Sequence, residues 1–148
     1  MLHRLRTASA LAALLLLPAL LRADDPPTGD KDLDGTWEAV SNAVDGKEQP
    51  LPPDGKLLVT ISGGSLTLKA DVGSHMATIG VDASKTPKTI DITPQDGADK
   101  GRTALGIYEV KGDELRLCGA DAGKDRPTEL TSKPGSGWIF LTLKRVKK

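Results

Sequence analysis

Between Lys56 and Lys69 the chain alternates inward and outward positions through two runs separated by Gly63-Gly64. Leu57, Val59 and Ile61 share one face, then Leu66 and Leu68 share one face of the second run. A period of two is that of a β-strand, and a Gly-Gly pair between two such runs is a hairpin turn. The same pattern recurs along the chain, and no segment beyond the leader has helical periodicity. Eight or nine short strands with frequent turns predict an all-β body, either an up-and-down barrel or a sandwich.

The first strand is expected from Gly35 to Val44. Its alternation fails midway, because Trp37 and Ala39 share one face while Val40 and Val44 share the other; a bulge or burial on both sides is needed. Asp45-Gly46 signals a turn, and Lys47 to Gly55, with three prolines, reads as a loop that cannot pair as an interior strand. Further strands are expected over His75–Val81, Thr89–Thr93, Arg102–Val110, Glu114–Cys118, a short run Pro127–Thr131, and Trp138–Val146. Asp91 between Ile90 and Ile92 is expected to point away from the face they occupy.

Residues 1–23 have the parts of a secretory signal: Arg4 and Arg6, an apolar run from Ala8 to Leu21, and Ala23 as the small residue before cleavage. The run is shorter than the ~18 to 20 apolar residues of a spanning helix. No integral membrane segment is expected in the mature chain, and its place is the periplasm or the outside of the cell. Residues 24–33 are acidic and turn-rich and read as a flexible tether, leaving 34–148 as one domain. Cutting after Ala23 removes Arg4, Arg6 and Arg22 and no acids, so 20 basic against 20 acidic residues becomes a slight acidic excess. That balance argues against a nucleic-acid partner. Cys118 is the one cysteine, so no intrachain disulfide forms.

Catalytic constellations are hard to assemble. His75 is the one histidine after the leader, too few for a zinc site or a nucleophile and base pair. Gly135-Ser136-Gly137 lacks the spacing of a nucleophile elbow, and no glycine cluster matches a phosphate-binding loop. The acids lie in turns or on the outward face of strands. No catalytic residue, metal ligand or cofactor is expected, and the chain reads as a non-enzyme.

Gly35-Thr36-Trp37 resembles the G-x-W signature that opens the first strand of lipocalin-like barrels. In that family the tryptophan closes one end of the barrel beneath a basic residue of the last strand, so the resemblance implies a structural plug of Trp37 and Arg145. A second resemblance covers nearly the whole body. Leu33-Asp34-Gly35-Thr36-Trp37-Glu38, Leu105-Gly106-Ile107-Tyr108-Glu109, Leu115-Arg116-Leu117-Cys118 and Asp125-Arg126-Pro127-Thr128-Glu129 look like a planctomycete family of uncharacterised secreted domains. It implies an antiparallel up-and-down eight-stranded, lipocalin-like β-barrel and supplies no activity. Typical lipocalins continue into a helix after the last strand, whereas here no C-terminal helix is expected.

An eight-stranded barrel is either filled by its own side chains or holds one small ligand. Leu51, Leu57, Val59, Ile61, Leu66, Leu68, Ile79, Ile90 and Tyr108 are the candidate ligand-binding residues of the interior and mouth. Ala77, Gly80, Ala104 and Gly106 leave room, and the proline-rich loop 47–55 is a candidate lid. The expected partner is a small apolar or amphipathic molecule. The alternative is a protein-interaction or inhibitor module with a packed barrel and functional loops.

Overall fold

The computed structural model describes residues 30–147, apart from 52–55 and 72. Nine strands occur among them: β1 (Gly35–Val44), β2 (Lys47–Gln49), β3 (Leu58–Ser62), β4 (Ser65–Ala70), β5 (Gly73–Asp82), β6 (Lys88–Pro94), β7 (Ala104–Lys111), β8 (Glu114–Gly119) and β9 (Ile139–Arg145). Each pairs antiparallel with its neighbour, and β1 pairs with both β3 and β9, so eight strands close into an up-and-down barrel. No helix occurs among the described residues. Closure leaves β2 as a tongue, paired with Asn42–Val44 of β1 beyond the point where β3 begins. This corrects the reading of Lys47–Gly55 as loop throughout: three residues pair before the prolines stop the strand.

The failed alternation in β1 is a bulge. Ala39 faces Leu143 and Ser41 faces Thr142 across the ladder, so Val40 is the extra residue and turns out to solvent. Before it, Trp37 and Ala39 face inward; after it, Asn42 and Val44 share the face of Leu141 and Ile139. The strand expected at Pro127–Thr131 does not form. A closed barrel has no free edge to receive it, and Pro127 is instead buried in the segment between β8 and β9. Arg126 of that segment reaches the carbonyl oxygens of Ile90 and Gly106 at 3.3 and 2.8 Å and lies 2.8 Å from the Asp91 carboxylate, on the face opposite Ile90 and Ile92.

The core is the inward row of each strand. Trp37, Val59, Ile61, Leu66, Val81, Ile90, Tyr108, Leu115 and Leu143 are buried together, with Leu33 from the chain ahead of β1. Residues 1–29, including the expected leader and most of the expected tether, lie outside the described residues. Asp30–Leu33, the end of that tether, instead make a turn against the barrel, with Leu33 only 1% exposed.

Candidate functional site

The two ends of the barrel differ. At one end, the start of β1 and the end of β9 bring Trp37 opposite Arg145, whose guanidinium carbon lies 4.2 Å from the centre of the indole ring. The Trp37 indole N–H donates to the Leu33 carbonyl oxygen at 2.8 Å, and Arg145 donates to the carbonyl oxygens of Asp32 and Asp34 at 2.9 and 2.8 Å. Deeper in, the Tyr108 hydroxyl and the Lys88 ammonium both donate to Asp30 Oδ2, at 2.8 and 3.1 Å. Burial of Asp30 opposes its ionisation, but the bonds from Tyr108, the Asp32 backbone N–H and Lys88 outweigh it and hold the carboxyl below its usual range. Burial, and then the Asp30 carboxylate, push the Tyr108 phenol far above its ordinary value. This end is therefore sealed by packed rings, a turn and a charge-assisted cluster.

The other end is open. The inward residues of β6 to β9 become small there, and a cavity of about 610 Å³ remains. Ile92 and Pro94 of β6, Ala104 and Gly106 of β7, Leu117 and Gly119 of β8, and Ile139 and Leu141 of β9 wall it. It continues past the end of β8 to Leu105, Ala120 and Ala122, and its charged groups, Asp99, Arg102, Asp121 and Lys124, are all exposed at the rim. Arg102 Nη1 lies 3.2 Å from Asp99 Oδ1. The loop that carries both is pinned at its root, where Asp96 accepts from the Met76 backbone N–H at 3.0 Å and lies 2.7 Å from His75 Nδ1. Those two contacts, the backbone bond first, hold Asp96 below the usual carboxylate range.

None of the nine interior residues named from the sequence lines this cavity. Val59, Ile61, Leu66, Ile90 and Tyr108 are buried in the packed part of the barrel, and Leu51, Leu57, Leu68 and Ile79 pack against them. Tyr108 borders a smaller hollow of about 410 Å³, shared with Ser84, Lys85, Pro87 and Leu130. Of the candidate lid, Lys47–Leu51 contribute nothing to the cavity wall, and Pro52–Gly55 lie outside the described residues. Of the four small residues, Ala104 and Gly106 do line it, while Ala77 is buried in the core and Gly80 pairs with outward Asp91.

The residues missed were Leu117, Gly119, Ile139 and Leu141. Their signal was present: a strand apolar on both sides at its start, opposite a strand that ends in glycine, leaves space where the two meet. No protein-family model, curated protein or solved structure matches this chain.

Proposed function

We propose that this is an exported, lipocalin-like domain that holds a small apolar or amphipathic molecule in the mouth of its barrel. The observation that carries the reading is the mouth cavity of about 610 Å³, apolar along its walls and charged only at its rim. Small-molecule sites have this size and this division of labour, an apolar bed with a few polar groups for orientation. The secretory character of residues 1–23 supports export. Resemblance to secreted planctomycete domains supports the same compartment and leaves the ligand open.

The test is a fluorescence titration with N-phenyl-1-naphthylamine, an apolar dye that brightens out of water. Purified protein should give a saturable rise, and Gly119→Phe should weaken binding about tenfold or more by overfilling the cavity. Absence of any rise, or a rise indifferent to Gly119→Phe, overturns the ligand reading. Export has its own test: protein recovered from its host should begin at Asp24. A chain that retains its leader inside the cell overturns it.

A further inference from the structure

The bulge at Val40 has a chemical result on the inner wall. It turns Asn42 inward beside Leu141, and Leu141 in turn faces Leu117. Both leucines line the mouth cavity. Asn42 thus stands in the wall one row deeper than Ile139, level with the cavity's leucines. Its side-chain Oδ1 is buried and has no hydrogen-bond partner among the described residues. Exchanging the amide oxygen and nitrogen would change which atom faces which way, but an amide offers both an acceptor and donors to whatever meets it. An orphaned polar group in an apolar wall costs about what a lost hydrogen bond costs, and folded proteins nearly always pair such groups.

We propose that Asn42 is the specificity-determining residue of the mouth cavity, and that the ligand is a neutral apolar molecule with one hydrogen-bonding group, of hydroxyl or amide type, at its inserted end. This rests on the reading of that cavity as a ligand site. The charges support the neutral class. Asp99, Arg102, Asp121 and Lys124 stand at the exposed rim, whereas Leu117, Gly119, Ile139 and Leu141 near Asn42 offer no countercharge. A carboxylate carried down to the level of Asn42 would lose its water without gaining a cation. A hydroxyl there would pair with the orphaned amide.

Three probes of one shape separate the possibilities: naphthalene, 2-naphthol and 2-naphthoate, titrated calorimetrically at neutral pH. Purified protein should bind 2-naphthol at least about fivefold tighter than naphthalene, with 2-naphthoate the weakest. Asn42→Leu and the less bulky Asn42→Ala should both erase the preference for 2-naphthol while still binding naphthalene. Equal affinity for naphthalene and 2-naphthol, a preference for 2-naphthoate, or a 2-naphthol preference that survives both substitutions overturns the role of Asn42 and leaves the cavity as a site. Failure of all three probes to bind overturns the ligand site itself, and Asn42's role with it. The wild-type ranking decides even if a variant fails to fold.

Discussion

Gly35 and Trp37 have separate physical tasks. Gly35 has a φ of 135°, and a Cβ built on it would stand 2.7 Å from Arg145 Nη1. A side chain there would displace the guanidinium that covers Trp37. Trp37 is fully buried, so Trp37→Ala should destabilise by about 3 to 5 kcal/mol, as large core truncations do. Arg145→Ala should cost less, about 2 kcal/mol, because the ring stays buried and the released carbonyl oxygens can turn to water. Urea denaturation of the two variants gives both numbers; a Trp37→Ala midpoint equal to wild type would show that the ring does not seal the barrel. The pair is legible in the sequence because its members sit at the two ends of the folded chain, on strands whose parity is clear. Leu33 and Asp30 are not legible. They sit in an acidic, turn-rich stretch whose composition reads as tether, and the partners that hold Asp30 come 58 and 78 positions later. Asn42 is hidden for a related reason: the sequence shows that β1 needs a bulge, but which residues turn inward depends on where the ladder slips.

At the scale of elements, the Asp30–Leu33 turn and the segment between β8 and β9 are held by a few polar contacts each, and those contacts can be released one at a time. Asp30 is ionised more readily in the folded chain than in the unfolded one. Its contribution is therefore fully present above the unfolded carboxyl value near ~4 and disappears as pH falls through the lower, folded value. Asp30→Asn should cost about 2 kcal/mol at neutral pH. The gap in melting temperature between wild type and variant should narrow as pH drops below ~4; a gap that stayed constant down to acid pH would mean that the turn is held by packing alone. The β8–β9 segment covers Cys118, which is buried and lies 3.3 Å from the Thr131 carbonyl oxygen. Arg126 is its main polar anchor, so Arg126→Ala should let the segment lift and raise the rate at which a thiol reagent labels Cys118, by about tenfold or more for a contact worth ~1.5 kcal/mol. Unchanged labelling would leave Pro127 and its neighbours as the sufficient anchor. At the same end of the molecule Gly46 has a positive φ of 83°, and a Cβ on it would stand 2.5 Å from the Pro134 nitrogen, so the β1–β2 turn and this segment are fitted to each other.

For the molecule as a whole, alternation and turns specify the strand order, because each strand pairs with the next and closure needs only the first to meet the last. Where the barrel is full and where it is hollow is a property of closure, which sets residues far apart in sequence on one level. Leu117 meets Leu141 and Gly106 meets Gly119 only once the register is fixed. Hence the apolar residues most evident in the sequence turn out to fill the packed end, and the space is left where short side chains coincide. That asymmetry has a thermodynamic signature. A Cβ on Gly119 would meet no atom within 4 Å, and its backbone needs no glycine, so Gly119→Leu adds apolar contact in empty space without strain. A substitution of this kind should raise the stability of the empty protein by about 1 kcal/mol. An apolar ligand held at a hundred times its Kd stabilises wild type by about 2.7 kcal/mol, and Gly119→Leu should lose most of that gain because the leucine competes for the same space. The two effects have opposite signs at one residue: a higher melting point without N-phenyl-1-naphthylamine and a smaller shift with it. Thermal unfolding with and without the dye measures both. A variant that melts lower than wild type when empty would mean that the space beside Gly119 is closed in solution, and the open mouth would then have no room for the ligand it is argued to hold.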